Sequence, residues 1–153
     1  MELAGRVAVV TGASSGCGQA IAAALEGRGM VVASVSRHSE RFATDVSDPA
    51  SVEQLKRIVE AELGTPCVVV NAAGVFGPIA PIQDTVPQEW IETLMIDVVG
   101  PYLVSRAFVA GMVECGWGRI INLSSAASLG RPGPLNSAYG EFHPEPAALG
   151  FHQ

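Results

Sequence analysis

The architecture turns on one stretch, "RVAVVTGASSGCGQAIAAALEGRG", Arg6 to Gly29. It opens with a β-branched run that ends in glycine, the pattern of a strand buried on both faces. A loop of glycines and serines follows. The next residues read as a helix in which Ile21 and Leu25 share one face and Gly29 supplies the stop. Within "TGASSGCG" (Thr11–Gly18) each glycine has a physical purpose. Gly12 permits the tight turn, Gly16 lets the backbone approach a pyrophosphate, and Gly18 allows the helix to pack on the strand. Ser14 and Ser15 complete the loop, and the helix start adds unpaired N–H groups with a partial positive charge. The spacing G-x-x-x-G-x-G is one residue wider than the G-x-G-x-x-G fingerprint of dinucleotide sites. A glycine-rich turn without a ligand is the competing reading.

Outward from this stretch the alternation continues. "MVVASVS" (Met30–Ser36) reads as a second strand and "FATDV" (Phe42–Val46) as a short third one. In "SDPASVEQLKRIVEAELG" the residues Val52, Leu55, Val59 and Leu63 form one stripe. Asp48 stands as cap with Pro49 behind it, so a helix is expected. "PCVVVNAAG" reads as the fourth strand, Pro87–Cys115 as one long helix interrupted near Gly100–Pro101, and "GRIINLSS" (Gly118–Ser125) as the fifth strand. Strands alternating with helices imply an α/β fold, a doubly wound parallel sheet with helices on both faces. No linker or repeat divides residues 1–153, so a single domain is expected.

Composition excludes several classes. The chain has 153 residues, 48% hydrophobic, and a net charge of −6. No basic face is available to neutralise phosphates, which argues against nucleic acid as partner. Cys17, Cys67 and Cys115 are widely spaced, without a CxxC, and suit a reducing compartment. No secretion signal is readable, and no apolar run approaches the ~20 residues of a membrane span. A soluble, cytoplasmic protein is expected. His38, His143 and His152 lack metal-ligand spacing, so no metal site is expected.

The carboxyl ends of the strands carry the polar residues, where ligands of such sheets sit. An NAD site of this kind usually has an acidic residue about 20 positions past the glycines, on the ribose 2′-hydroxyl. Here Ser36 and Arg37 occupy that place. A guanidinium suits a 2′-phosphate, which favours NADP(H) over NAD(H); an ordinary solvated surface charge is the alternative. "NAAG" (Asn71–Gly74) ends the fourth strand and "NLSS" the fifth, and Tyr139 lies fourteen residues after Ser125. A tyrosine beside a serine can give a proton to a carbonyl oxygen if its pKa of ~10 is lowered. Singly these motifs read as a turn, a strand terminus and packing.

Together and in this order, T-G-x-x-x-G-x-G, Asp45-Val46, N-A-A-G, N-L-S-S and the tyrosine make the chain resemble the short-chain dehydrogenase/reductase family, from about Leu3 to Tyr139. The resemblance implies a Rossmann-type sheet, a nicotinamide cofactor, and hydride transfer between a small-molecule carbonyl and an alcohol. It implies that Gly12, Gly16 and Gly18 wrap the pyrophosphate and that Asp45, with Val46 beside it, meets the adenine. Asn71, Ala72 and Gly74 line the cofactor near its inner ribose. Ser125 holds the substrate oxygen and Tyr139 is the acid/base. The long helix from Pro87 to Cys115 is the implied face for association with a second copy.

The chain departs from the family at three points. The family has lysine four residues after the tyrosine; here that residue is His143, followed by Pro144. Pro144 disfavours helix at His143, so the imidazole is a poor substitute for the ammonium. Asp97 stands where the family has asparagine, whose backbone carbonyl holds a water in the proton relay. Pro101 has no N–H, which frees the carbonyl of Asp97 four residues back, or simply kinks the helix. The family also continues with two more strands and a substrate-covering segment. Residues 140–153 are atypical, and the expected sheet is incomplete at its C-terminal side. The chain therefore reads as a truncated or frame-disrupted form of a longer protein, impaired as an enzyme. A non-catalytic dinucleotide-binding or interaction module is the alternative.

Overall fold

The computed structural model describes residues 2–125 together with Leu135, Ala138 and Tyr139. Strand β1 (Val7–Thr11) is buried along its whole length. Its side chains alternate between two cores, as the pleat requires. Ala8 and Val10 face the layer containing helix α1 (Gly16–Glu26), through Ala22 with Ile21 and Leu25 packed beside it. Val7 and Val9 face the opposite layer. There helix α2 (Pro49–Glu62) contributes Val52, Leu55 and Val59, and helix α4 (Gly100–Glu114) contributes Val104, Ala107, Phe108 and Met112. Covered on both faces, the central strands must be apolar throughout, which explains the unbroken valine runs.

The sheet has four parallel strands in the order β2-β1-β3-β4, with β2 at Val31–Val35, β3 at Pro66–Asn71 and β4 at Arg119–Asn122. Val9 lies in register with Ala33 on one side and Val69 on the other, and Val69 with Ile120. From β1 the chain crosses to β2 on one side and then to β3 on the other. The loops leaving β1 and β3 therefore diverge, and a crevice opens between them.

Local signals account for the element ends. Asp48 accepts hydrogen bonds from the N–H groups of Ala50 and Ser51 (3.1 and 3.2 Å), and Pro49 occupies the first helical position of α2. Leu63, expected as the end of the stripe, is the C-cap residue. Helix α1 closes at Glu26, earlier than expected. Gly29, with φ of +81°, instead forms the turn that feeds β2, its N–H donating to Glu26 O.

One expectation needs correction, and another is met in an altered form. Phe42–Val46 is not a strand: its pairing amounts to one bridge, Ser36 with Ala43. The alternation is real, with Phe42, Thr44 and Val46 buried, but the side chain of Asp45 turns onto Ser47 before a second pair forms. The described sheet accordingly has four strands rather than five. The long helix is interrupted next to Gly100–Pro101, as expected, but by a widened turn and not by a stop. Helix α3 (Pro87–Leu94) runs through a π-helical turn (Met95–Val99) directly into α4. Gly100 N–H donates to Met95 O, five residues back, so the helix widens instead of stopping. Pro101 explains the location, because its missing N–H already weakens the regular ladder at this turn. By length and composition alone this 28-residue helix, with a mean hydropathy of 1.4 over its most apolar window, satisfies the requirements of a membrane span. Its inner face, however, packs into the core through Val104, Ala107, Phe108 and Met112.

A cleft at the carboxyl ends of β1 and β3

The crevice between β1 and β3 holds a cavity of about 300 Å³. Its walls are Gly12, Ser14, Ser15, Cys17 and Gly18 from the first loop and Val35 to His38 from the end of β2. Thr44, Asp45 and Val46 add the third side, and Ala72 to Val75, with Ile96, close the fourth. Most of the residues expected to hold a cofactor thus meet in one place: Gly12, Ser14, Ser15, Gly18, Arg37, Asp45, Val46, Ala72 and Gly74.

Backbone crowding shapes this cavity. A Cβ on Gly12, whose φ is +66°, would lie 2.7 Å from Ala72 O and Ala73 Cα. A Cβ on Gly18 would collide with the carbonyl of Gly12. The two glycines let three backbone segments close on one another, leaving room in front of them. Gly16 begins α1 with open space where a side chain would stand. Ser15 gives no side-chain cap, and Ser15, Cys17 and Gly18 at the start of α1 line the cavity. Such a helix start, with a polar cradle that admits no Cβ, fits a phosphate-bearing ligand.

Asp45 is fixed by its neighbours. Its carboxylate accepts from Ser47 Oγ (2.6 Å) and Ser47 N–H (2.9 Å), and its own N–H donates to Ser51 Oγ. The two hydrogen bonds from Ser47, with a smaller contribution from the Arg37 charge, hold its carboxyl below the usual aspartate value of 3.8, against the opposing effect of partial burial. The acid stays ionised in the pocket, beside Arg37.

Asn71 stands elsewhere than expected. It is 4% exposed and lies behind the cavity wall. Its Nδ2 donates to Asn122 Oδ1 (2.8 Å), Ser105 Oγ (3.2 Å) and, at 3.5 Å, to the carbonyl of Pro101. The amide therefore joins β3, β4 and α4, positioning the Ala72–Gly74 loop from behind. Asp97, on the π turn, reaches the same loop from the other side: its Oδ1 accepts from Val75 N–H at 2.9 Å. Here the side chain itself makes the contact, beyond the backbone carbonyl considered from sequence.

Ser125 follows β4, half-buried. The ring of Tyr139, also half-buried, stacks on Phe76 with centroids 4.7 Å apart. His143, Pro144 and the rest of 140–153 lie outside the described residues.

Sequence reasoning missed Thr11. Buried at the end of β1, its Oγ1 accepts from the N–H groups of both Ala72 and Ala73, each at 3.1 Å, and donates to Val70 O at 3.4 Å. A hydroxyl closing an otherwise apolar strand was the available signal. Ile96 was missed as well, because it is brought to the site by packing across the chain.

Comparison with known proteins agrees with this geometry. Residues 41–141 match the family described as short chain dehydrogenase. The chain is 38% identical over 144 residues to a D-threitol dehydrogenase of Mycolicibacterium smegmatis, covering 83% of this chain and 55% of that protein. It is 35% identical over 158 residues to a 3-oxoacyl-(acyl-carrier-protein) reductase of Pseudomonas aeruginosa, covering 90% and 63%. Among solved structures, a metagenomic short-chain oxidoreductase in complex with NADP superimposes with a TM-score of 0.85 at 32% identity, over 94% of this chain and 72% of the other. An NAD+-bound xylitol dehydrogenase gives 0.84 at 28% identity, over 94% and 61%. The chain spans 55% and 63% of the lengths of the two curated relatives. With the glycine cradle, the parallel sheet and the matched residues in agreement, the chain belongs to the short chain dehydrogenase family.

Proposed function

We propose that this chain binds NADP(H) in preference to NAD(H) and serves hydride transfer between that nucleotide and a small carbonyl or alcohol. The observation that carries the reading is Arg37, which lines the cavity at the end of β2 where a carboxylate would select a bare ribose. Solved relatives include one with NADP and one with NAD+, so both nucleotides occur among them. The Asp45 carboxylate beside Arg37 is held in place by its two hydrogen bonds from Ser47.

When bound, the nicotinamide supplies or accepts the hydride. The chain's own residues do the rest. The start of α1 and the Gly12–Gly18 loop receive the pyrophosphate, and Asp45 with Val46 borders the adenine. Ala72 and Gly74 flank the inner ribose, and Asn71 and Asp97 hold their loop in place. Ser125 holds the substrate oxygen. Tyr139 gives it a proton during reduction.

Oxidation requires the phenolate, and the position four residues past Tyr139 holds His143 rather than a permanent cation. This residue favours a second reading, a nucleotide-binding module with little or no turnover. Titration with NADPH and NADH, followed by carbonyl-dependent NADPH oxidation, separates the two: both bind nucleotide, and only the first consumes it. Arg37→Asp should reverse the preference toward NADH. An unchanged affinity ratio would remove the argument for NADP(H).

The outer face of the long helix suits association with a second copy. Ile91, Met95, Val98, Tyr102 and Val113 recur at helical spacing and are all exposed. We assign the protein to the cytoplasm on its three free thiols.

A further inference from the structure

We infer that Phe76 is a positioning residue for Tyr139, and that the short loop carrying it links the cofactor cavity to the acid/base ring. The inference rests on the proposed role of Tyr139 and extends it.

The loop after β3 is fastened at successive residues. Thr11 Oγ1 holds the N–H groups of Ala72 and Ala73. Asp97 Oδ1 holds Val75 N–H, and a Cβ on Gly74 would lie 3.4 Å from the same oxygen. Gly77, with φ of +73°, presses so closely on Thr93 that a Cβ there would lie 2.6 Å from its Oγ1. Thr93 is itself buried and donates to Glu89 O one turn back in α3. Phe76 therefore stands between two fixed points, Val75 and Gly77. Its backbone is tethered on both sides, although the residue is 46% exposed.

That ring lies against Tyr139, the planes inclined by 30° at a centroid distance of 4.7 Å. Offset stacking of this kind restricts a partner ring to a narrow range of orientations. A tyrosine has two side-chain torsions before its hydroxyl, so fixing the ring plane fixes where the proton is delivered. Ala72, Gly74 and Val75 line the cofactor cavity. One continuous segment thus borders the nucleotide at its start and the phenol ring one residue further on.

The sequence holds two tyrosines, Tyr102 and Tyr139, which makes the contact observable. The full chain labelled with 3-fluorotyrosine gives one fluorine resonance for each, and Tyr102→Phe identifies which is which. In Phe76→Leu the Tyr139 resonance should lose its ring-current displacement and move toward that of exposed Tyr102. Phe76→Tyr, which adds a third resonance of its own, should restore it. An unmoved Tyr102 signal and unchanged circular dichroism show that the fold is intact, as expected for an exposed loop side chain.

In carbonyl reduction Phe76→Leu should lower kcat by about tenfold or more, as misplaced reacting groups do, with the KM for NADPH unchanged. Phe76→Tyr should recover most of the rate. A Tyr139 resonance indifferent to Phe76→Leu would overturn the inference, as would a displaced resonance with an unchanged kcat. The underlying reading fails differently: Tyr139→Phe would then retain full turnover, or the parent chain would show none while its two resonances still report the stack.

Discussion

A single oxygen, Thr11 Oγ1, ties the two halves of the crevice together. It serves two N–H groups from β3's exit loop and leaves neither in need of water. Thr11→Val keeps the shape and removes both acceptors, so two partly buried donors lose their partner. Unsatisfied groups of this kind cost about 1–3 kcal/mol. Chemical denaturation should show a loss in that range for Thr11→Val and a much smaller one for Thr11→Ser. A valine variant as stable as the parent would show that the hydroxyl is dispensable. The contrast between Thr11 and its neighbours also marks what could be read beforehand. Gly12 and Gly18 are legible because their constraint is local, a backbone turn within a few residues. Asn71 is not, because its three partners lie 30, 34 and 51 residues away in sequence. Its place in "NAAG" suggested a cavity wall, and only the meeting of β3, β4 and α4 shows that it stands behind one.

Among the elements, the helices with strong end signals were the most legible. Helix α2 has its cap, its proline and its apolar stripe within one short window, and the structure reproduces all three. Asp48→Ala removes the bonds to Ala50 and Ser51 and should lower stability by about 1 kcal/mol, with Asp48→Ser retaining most of it. A thermal midpoint unchanged in the alanine variant would contradict this account. Phe42–Val46 was misread, and for the long helix the place of the interruption was legible but not its form. The first has strand-like alternation but a turn at Asp45 that prevents a second ladder pair. The second has a proline that reads as a break, while an inserted residue lets the helix continue in π register. In both, backbone hydrogen bonding decided between alternatives that side-chain periodicity left equal.

For the whole molecule, the strand order creates the site. Because β1 is followed by a crossover to one side and β2 by a crossover to the other, the loops of β1 and β3 part at their carboxyl ends. The alternation of strands and helices anticipated this crevice, and two cores on opposite faces of the sheet support the strands that form it. The outer face of the long helix takes no part in either core. Tyr102 is 61% exposed near the middle of its apolar stripe. If that stripe joins two copies, Tyr102→Glu should yield a monomer in light scattering under conditions where the parent is an oligomer, with helicity preserved. A parent that is already monomeric at high concentration would exclude the interface.

Cys17 gives the cavity a built-in chemical reporter. Its thiol is exposed on the cavity wall, whereas Cys67 is buried between strands and Cys115 is exposed at the end of α4. Helix α4 runs back against the direction of the strands, so Cys115 emerges at the opposite edge of the sheet from the crevice. Alkylation by iodoacetamide, followed residue by residue in a mass spectrometer, then becomes a gauge of occupancy with its own internal clock. Saturating NADPH should slow modification of Cys17 and leave Cys115 reacting at its former rate. Protection of both thiols alike, or of neither, would place the nucleotide elsewhere on the protein.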